Sequence, residues 1–433
     1  MLGPRRGTRY PLLATMLPDI DLTDLDRFAS GFPHELFTRL RREAPVWFQP
    51  PTAHTPGGEG FWVLSRHADI VAAALDAATF SSHRGGARDG GGTLIEDLPS
   101  GFAAGVLLNM MDDPRHRSFR RLVTPSVSPR ALAAMETELR ERTSAILDAV
   151  AERGSCDLVT DVAAELPLQA IARLLGVPQE DRHRLFGWAN ATLDYDDRQL
   201  GETSAKVQTA QAELFQYGSA LLAEKRRCPA DDILSAAAHG RVPSASGGDE
   251  PLSDLEQQML FNLLIAAGSE TTRNSIALGF AALVEHPEQW RALREDRALV
   301  PRAVEEMLRW ASSTPYNRRT ATRDVTIGGT TIRAGDKVTL WWASANRDEA
   351  VFADPFRFDV RRDPNPHLTF GHGNHFCLGA NLARVEMRLV FEGLLARFDE
   401  IALDGPIEFA RSNKHTGVRH MPATFVRRTE RPS

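Results

Sequence analysis

The chain has 433 residues, of which 42% are hydrophobic and 25% charged, a globular composition that excludes a largely disordered or collagen-like chain. The 51 Lys and Arg residues against 57 Asp and Glu residues leave a formal net charge of -6, so the overall positive charge of a nucleic-acid or anionic-membrane binder is absent. Three scattered cysteines are too few for a disulfide framework or a multi-cysteine zinc site.

Hydropathy gives no indication of a membrane-spanning or secretory segment. Apolar runs fall short of the about 18 residues that span a bilayer, and the stretch between Pro11 and Pro18 is too short for the core of a signal peptide. We therefore expect a cytoplasmic monomer without membrane insertion. Residues 1–20 are expected to be disordered, and residues 21–433 to form one large domain.

Helical periodicity dominates the chain. It predicts helices near residues 34–43, 66–75, 129–152, 160–175, 201–227, 253–286, 300–310 and 378–397. Asp113-Pro114 is typical of a helix start, since Asp caps helices and Pro is favoured in the first turn. Strand signals are fewer: residues 46–48 and 61–64, then 325–332 and 338–342 as paired strands with a turn at Gly328-Gly329. The fold class is mainly α with small β-sheets.

Two long connections interrupt these elements. Residues 81–108 contain two glycine clusters before the apolar Val106-Leu107-Leu108, a composition that predicts a mobile flap. Residues 240–251 are rich in Ser, Gly and Pro and predict a polar linker. Because neither connection separates segments of different composition and no repeat is visible, one domain remains the prediction.

The most informative segment is FGHGNHFCLG at residues 370–379, which precedes a strongly amphipathic stretch. The N-terminus of a helix lowers the pKa of a nearby thiol, so Cys377 is suited to bind a metal as thiolate. Glycines such as Gly373 and Gly379 let the backbone lie against a flat ligand. A lone cysteine is also compatible with a buried apolar residue, or with a catalytic thiol paired with His375 or His372.

The ten-residue pattern as a whole resembles the heme-binding loop of the cytochrome P450 family, Phe-x-x-Gly-x-His/Arg-x-Cys-x-Gly, and every required position matches. The resemblance extends from about Phe32 to Phe425. It implies the cytochrome P450 fold, with heme b between a long central helix and the loop. It also implies that the Cys377 thiolate is the axial ligand of the heme iron, with further heme contacts from Phe370, Gly371 and Gly379.

The predicted helix over 253–286 would be about 50 Å long and opens with Ser253 and Glu256 at capping-box spacing. Its centre, residues 266–272 (AAGSETT), is by itself compatible with a close-packing spot followed by an exposed turn. With the cysteine loop present, it resembles the family motif Ala/Gly-Gly-x-Asp/Glu-Thr. The resemblance implies that small residues leave room for dioxygen and that an acid and an alcohol relay protons, here Ala267 and Gly268, and Glu270 and Thr271.

Glu306 and Arg309 are three residues apart and therefore neighbours on one helical face. A surface ion pair would explain them, at less than about 1 kcal/mol. They also match the family motif Glu-x-x-Arg, whose third partner is an arginine before the cysteine loop. The resemblance implies that Arg357 fills that place and that the three residues stabilise the fold.

Four basic residues match the family's anchors for the two heme propionates, namely His116, Arg120, Arg319 and His375. His116 and Arg120 share a helical face, which is equally compatible with a solvated basic surface. Arginine suits a carboxylate because its planar fork donates two parallel hydrogen bonds. The adjacent Arg318 is the alternative to Arg319.

The resemblance implies a heme-thiolate monooxygenase that inserts one oxygen atom of dioxygen into a C–H or C=C bond. Electrons would come from a separate ferredoxin and an NAD(P)H-dependent ferredoxin reductase, docked near Arg117, Arg121, Arg384 and Arg388. The alternatives are a peroxide-driven or isomerase-type heme enzyme, against which the intact Glu270-Thr271 pair argues, and a non-catalytic heme protein.

The expected substrate is a medium-sized apolar molecule, because the predicted pocket walls are mostly apolar. The stretch from Trp341 to the cysteine loop looks like that of actinobacterial members, which act on steroids, branched lipids, terpenoids or secondary metabolites. The predicted walls are residues 186–193 together with Val106, Leu107, Leu108, Leu263, Ala266, Ala267, Thr314, Pro315 and Tyr316.

Overall fold

The computed structural model describes residues 17–428, apart from residue 18, residues 85–87, residue 89, residues 194–199 and residues 245–246. The expectation of disorder over residues 1–20 falls mostly outside this part of the chain. Leu17 and Ile20 lie inside it, and both are buried in an apolar cluster with Leu22, Leu25 and Phe28. That end of the segment is therefore packed, contrary to the expectation.

Helices account for most of the regular structure, as the periodicity predicts. They are α1 His34–Glu43, α2 His67–Leu75, α3 Arg115–Val123, α4 Pro129–Arg153, α5 Glu165–Leu175, α6 Arg182–Leu193, α7 Ala205–Arg227, α8 Ile233–His239, α9 Asp254–Glu285, α10 Pro287–Glu295, α11 Val300–Ala311, α12 Trp342–Ala345 and α13 Ala380–Arg397.

The strands are short. They are β1 Val46–Gln49, β2 Phe61–Leu64, β3 Phe80–Ser81, β4 Ser155–Asp157, β5 Arg241–Pro243, β6 Asp249–Pro251, β7 Asn317–Ala321, β8 Val325–Ile327, β9 Thr330–Ile332, β10 Lys337–Leu340, β11 Phe398–Leu403, β12 Glu408–Phe409, β13 Val418–His420 and β14 Pro422–Arg427.

The largest sheet has the strand order β1-β2-β10-β7-β3. Strands β1 and β2 are antiparallel, with Val46 opposite Leu64, and β10 runs parallel to β2. Strands β8 and β9 form the hairpin predicted around Gly328-Gly329, whose positive φ angles of 55° and 77° suit glycine. The predicted pairing of this hairpin with residues 338–342 is wrong, because β10 pairs with β2 and β7 instead.

Helix α9 forms the centre of the helical part of the molecule. Its first turn carries the predicted capping box, in which Ser253 and Glu256 satisfy each other's backbone N–H groups. At 32 residues it is about 48 Å long, and it packs against α5, α6, α7, α11 and α13. Most of its side chains are buried, so an accessible strip on this helix indicates a place where a ligand can reach it.

Both long connections are more ordered than their composition predicts. Within residues 81–108, Thr93, Ile95 and Ala104 are buried, and Asp97 forms ion pairs with Arg318 and Lys337 of the large sheet. The described part of this segment is therefore anchored to the sheet, unlike the expected mobile flap. The predicted linker 240–251 contains the antiparallel pair β5 and β6.

Candidate active site

The cysteine loop is a tight turn that ends where α13 begins. Gly371 and Gly373 have φ angles of 70° and 72°, in the left-handed region that favours glycine. The backbone N–H of Cys377 donates to the carbonyl oxygen of Phe370 at 2.8 Å, which closes the loop. The side chain of Cys377 is accessible, so its sulfur is available to a ligand.

The structure corrects the expected effect of the helix N-terminus on this thiol. Burial among the surrounding atoms raises the pKa of Cys377 above its ordinary value, although a hydrogen bond from the Gly379 backbone and the charges of Arg120 and Arg384 lower it. The thiol is thus accessible along one direction and desolvated on its other sides. Desolvation outweighs the helix N-terminus, and metal coordination would itself supply the drive to deprotonate.

The two glycines assigned to ligand contact act differently. A Cβ atom on Gly379 would meet nothing within 4 Å, which is compatible with open space for a flat ligand beside the loop. A Cβ atom on Gly373 would lie 2.4 Å from the carbonyl oxygen of Ala74. Gly373 is therefore required by its positive φ and by close packing against α2, and the expected role in ligand approach is not supported.

The four predicted anchors come together around the cysteine loop. The imidazole rings of His116 and His375 lie 4.0 Å apart, and Arg120 donates to the carbonyl oxygens of Asn374 and Phe376. Burial is the main cause that lowers the pKa of His375 to about 2, and the charges of Arg319, His116 and Arg120 add to it. These residues form a positively charged cluster that would be stabilised by carboxylates such as the two propionates of heme.

Strand alternation favours Arg319 over Arg318 as the arginine on the side of the cysteine loop. Successive side chains of β7 point to opposite faces of the sheet. Arg318 faces Asp97, with Nη1 and Oδ1 2.8 Å apart, whereas Arg319 lies near Asp112 and His375. Burial lowers the pKa of Arg319 to about 10, so it remains a cation at neutral pH, on the side of the histidine pair.

Helix α9 presents one accessible strip in an otherwise buried stretch. Ala267 is exposed and Thr271, one turn later, is half-buried, while Ser269, Glu270 and Thr272 are buried. The Thr271 hydroxyl donates to the carbonyl oxygen of Ala267 at 2.9 Å. Two of the residues assigned to dioxygen activation therefore share one open face of the helix.

Glu270 lies on a different side of the same turn. It is 7% exposed, and its Oε1 accepts from Nη2 of Arg273 at 3.3 Å. Arg273 in turn donates to Oδ1 of Asn190 on α6 at 2.7 Å, which joins the acid to a second helix. Sequence reasoning did not identify Arg273, although its position three residues after Glu270 is a recognisable pairing distance.

Gly268 does not contribute to the open strip. A Cβ atom on Gly268 would lie 2.8 Å from Cδ1 of Ile171, so this glycine permits the close approach of α5 to α9. The expected role of Gly268 in leaving room for dioxygen is therefore not supported, and the close-packing interpretation of that residue is the better one.

The predicted structural triad contains a different arginine. Glu306 binds Arg309 through two hydrogen bonds of 2.7 and 2.8 Å, and both side chains are fully buried. The third partner is Arg362, whose Nε lies 3.1 Å from Oε2 of Glu306. Arg357 is exposed and contributes only its carbonyl oxygen to Arg309. The assignment of Arg357 is wrong because the turn after Asp354 leaves its side chain exposed, whereas Arg362, at the end of the next turn from Asp359, reaches Glu306.

The predicted substrate walls divide into two groups. Ala266, Leu263 and Leu107 retain partial exposure, whereas Val106, Leu108 and Pro315 are buried. Tyr316 is 0% exposed, and its ring packs 4.7 Å from that of Trp341 in the N-terminal cluster. Its side chain therefore does not form a pocket wall, and the side chains of residues 192 and 193 lie outside the described part of the structure.

Residues 412–417 were missed by sequence reasoning. This segment connects β12 to β13 and passes beside the residues after α11, where Thr416 N–H donates to the Ser313 carbonyl at 3.1 Å. The residue that follows it, Val418 at the start of β13, contacts α9 by donating its backbone N–H to Oδ1 of Asn274 at 3.1 Å. The local sequence has no strong motif, and only the long-range contacts place it beside Glu270.

Two structural features are absent from the described residues. They contain no helix that combines the length and the apolar character needed to cross a bilayer. They also contain no group of three or more His, Cys, Asp or Glu side chains arranged to hold a metal ion, so no metal site built from side chains alone is found around Cys377.

Comparison with known proteins gives close relatives over nearly the whole chain. A Mycobacterium tuberculosis (strain ATCC 25618 / H37Rv) protein named "Putative cytochrome P450 126" is 50% identical over 410 residues, covering 94% of this chain and 98% of the relative. The Steroid C26-monooxygenase of Rhodococcus jostii (strain RHA1) is 37% identical over 435 residues, which cover 98% of this chain and 89% of the relative. The Methyl-branched lipid omega-hydroxylase of the same Mycobacterium tuberculosis strain is 38% identical over 420 residues, which cover 94% of this chain and 95% of the relative.

Solved structures agree with these relatives. Mycobacterium marinum cytochrome P450 CYP268A2, solved in complex with pseudoionone, superposes with a TM-score of 0.85 at 35% identity, covering 94% of this chain and 98% of that one. The family model described as Cytochrome P450 matches residues 60–408. With the cysteine loop, the basic cluster and the open strip of α9 in place, the chain belongs to the cytochrome P450 family, the heme-thiolate monooxygenases.

Proposed function

We propose that this protein hydroxylates an aliphatic C–H bond of a medium-sized apolar substrate of the steroid or branched-lipid class, with Cys377 as the axial heme ligand. The observation that carries the proposal is the open strip formed by Ala267 and Thr271, next to which Ser269, Glu270 and Thr272 are buried. A small side chain and a hydroxyl at one accessible place suit the binding and protonation of a small ligand beside the helix.

The residues present fit heme on three independent grounds. Cys377 is accessible at the end of a closed loop, Gly379 would direct a Cβ atom into open space, and the basic cluster lies beside the loop. When bound, a heme thiolate supplies the activation of dioxygen, because the thiolate pushes electron density that favours O–O cleavage.

The side chains of α9 account for proton supply. Glu270 is held by Arg273 at 3.3 Å and lies next to Thr271 in the chain. In this proposal the Thr271 oxygen accepts a proton from Glu270 as its own hydroxyl proton turns from the Ala267 carbonyl to the open strip and is released there. The bond from Thr271 to the Ala267 carbonyl holds the hydroxyl there, and general acid catalysis by a positioned group typically contributes about 10² to 10⁴ in rate.

The substrate class rests on the pocket walls and on the relatives. Leu263, Ala266 and Leu107 are apolar and partly exposed, and apolar walls with few polar groups favour a substrate held by shape. The two relatives named for their activity are a steroid C26-monooxygenase and a methyl-branched lipid omega-hydroxylase. Both names indicate oxidation of an aliphatic chain, which we infer for this protein as well.

We infer that electrons arrive from a ferredoxin at the surface around the cysteine loop. Arg117 and Arg121 on α3 are exposed there and suit an acidic partner. Arg384 and Arg388 are less suited than the sequence suggests, because their side chains are only 35% and 23% exposed and are paired with Glu305 and Glu136, whereas Arg117, although paired with Asp113, is 70% exposed. The docking patch is therefore expected to be centred on α3.

The test is turnover of the purified holoprotein with a surrogate ferredoxin, its reductase and NADPH, after steroids and branched lipids have been screened for the high-spin shift of the ferric Soret band. A hydroxylated product that requires NADPH and carries ¹⁸O from labelled dioxygen supports the proposal. Product formed only with added peroxide would identify the peroxide-driven alternative. Spectral binding without product under both conditions would identify a non-catalytic heme protein.

A further inference from the structure

The segment between β12 and β13 is wedged against the acid of the proposed proton relay. A Cβ atom on Gly417 would lie 3.7 Å from Nδ2 of Asn274 and 3.8 Å from Oε1 of Glu270. The next residue, Val418, donates its backbone N–H to Oδ1 of Asn274 at 3.1 Å. The absence of a side chain at Gly417 thus keeps polar atoms of α9 close to the hairpin backbone.

Three buried polar atoms at this contact lack a hydrogen-bond partner among the described residues: Oε2 of Glu270, Nδ2 of Asn274 and Nδ1 of His415. The opposite atoms of two of these side chains are satisfied, since Arg273 binds Oε1 of Glu270 and Val418 binds Oδ1 of Asn274. A buried polar atom without a partner costs about 1 to 3 kcal/mol. Atoms of this kind are commonly bridged by ordered water in native proteins.

His415 is electrostatically coupled to the same carboxylate. Burial lowers the pKa of His415, and the charge of Glu270 is the strongest influence in the opposite direction, while Lys414 and Arg273 lower the pKa further. The side chain as a whole is only half-buried. The ring therefore combines a buried nitrogen, Nδ1, with a partly accessible side chain, two residues before the Gly417 contact with Glu270.

We propose that His415 supplies protons to Glu270 through ordered water held by Glu270, Asn274 and His415, and so acts as a positioning residue for the relay of the proposed function. One ring nitrogen takes up a proton from the accessible side, and the other releases a proton to the bridging water, which passes one to Glu270. The imidazole is then neutral again, and no electron is transferred. Each proton delivered to Thr271 is replaced at Glu270 in this way.

The first test measures the coupling of His415 to Glu270 without turnover. In ¹³C-histidine-labelled holoprotein, as the ferrous carbon monoxide complex, the His415 signal is assigned by its loss in His415→Gln and followed by NMR as a function of pH. Replacement of Glu270 by Gln removes the negative charge that favours the imidazolium, so the pKa of His415 should fall. An unchanged His415 titration in Glu270→Gln would overturn the proposal.

The second test distinguishes proton transfer from a structural role. Gln at position 415 retains hydrogen bonding but cannot carry a proton, so His415→Gln should bind heme and substrate normally. Product per NADPH should fall at least threefold, with more hydrogen peroxide released and a larger solvent deuterium isotope effect. His420→Gln is the matched control, because His420 lies on β13 of the same hairpin and is exposed, paired with Asp157 at 2.6 Å.

The second test separates failure of the role proposed for His415 from failure of the proposed function. Full coupling in His415→Gln, together with the coupling defect expected of Thr271→Ala, would overturn the role of His415 and leave the monooxygenase proposal intact. If Thr271→Ala is also unaffected, the NMR titration still decides whether His415 and Glu270 are coupled.

Discussion

The imidazole rings of His116 and His375 lie 4.0 Å apart, one on helix α3 and the other in the loop that carries Cys377. Burial lowers the pKa of both rings, so they are neutral hydrogen-bonding groups at neutral pH. Arg319 is 6% exposed, and together with Arg120 it brings two positive charges to the same place. Both charges act on His375, so this side of the cysteine loop favours an anion.

The first prediction concerns this basic cluster. Arg319→Leu should weaken heme retention, because hydrogen bonds to charged groups contribute about 1.5 to 3 kcal/mol each, which corresponds to at least a tenfold faster transfer of heme to an acceptor protein. Arg117→Leu is the control, because Arg117 lies on α3 but is exposed and paired with Asp113. Equal transfer rates in the two variants would argue against propionate binding by Arg319.

The second prediction concerns the axial ligand. Cys377→Ser should abolish the strongly red-shifted Soret band of the reduced carbon monoxide complex, which requires a thiolate opposite the gas. Cys156→Ser and Cys228→Ser should leave the band unchanged. The measurement is a reduced difference spectrum of each purified variant. Loss of the band in either control variant, with its survival in Cys377→Ser, would transfer the assignment to that cysteine.

The third prediction separates Arg362 from Arg357. Arg309→Ala leaves the fully buried carboxylate of Glu306 without its closest partner, so we expect a loss of about 3 to 5 kcal/mol in the free energy of unfolding. Arg362→Ala should also lower the free energy of unfolding. Arg357→Ala should change stability by less than about 0.5 kcal/mol, because only the Arg357 backbone carbonyl is used. Urea unfolding of the holoproteins measures all three, and a defect in Arg357→Ala as large as that in Arg362→Ala would contradict the assignment.

The fourth prediction concerns the Thr271 hydroxyl. Thr271→Ala should still bind heme, substrate and dioxygen and should still consume NADPH. Product per NADPH should fall and hydrogen peroxide should rise, because ordered proton delivery is lost. Ser269→Ala is the control, since Ser269 makes the same kind of bond on α9, to the Ile265 carbonyl at 2.7 Å, but is buried. The measurement is a parallel assay of NADPH consumed, product formed and hydrogen peroxide released in each variant. An unchanged yield of product per NADPH in Thr271→Ala would mean that another hydroxyl delivers the proton.

The fifth prediction is a dependence of stability on pH. Glu386 on α13 is 0% exposed, and burial raises its pKa from 4.5 to about 8, although the Thr272 hydroxyl opposes the shift. Between these two pH values the folded state retains a proton that the unfolded state releases. The contribution of Glu386 therefore makes the protein less stable as pH rises from about 4.5 to 8.

Replacement of this carboxyl should remove that dependence. Glu386→Gln should be more stable than the parent by about 3 kcal/mol at pH 7 and should lose this advantage near pH 4.5. Glu392→Gln, a partly exposed acid on the same helix that pairs with Arg140, should show no comparable gain. Urea midpoints measured from pH 4.5 to 8 provide the comparison, and parallel curves for Glu386→Gln and the parent would refute the raised pKa.

Features that depend on local spacing could be predicted from the residue types alone. The capping box of Ser253 and Glu256 predicts the start of α9, and the ten residues around Cys377 predict a glycine-rich loop before a helix. These features follow from contacts within a few residues along the chain, so the residue types are sufficient to indicate them. The resemblance to the cytochrome P450 family is carried by the same kind of local pattern, and the relatives and the fold confirm it.

The packing of distant elements, which the sequence does not show, sets which side chains meet across long distances in the chain. Arg362 rather than Arg357 reaches Glu306, Tyr316 turns into the N-terminal cluster, and His415 lies beside Glu270. Each outcome depends on the direction in which a turn or strand projects a side chain, and a change of one residue reverses that direction on a strand. Because such directions are set by the packing of distant elements, spacing along the chain could not have determined them.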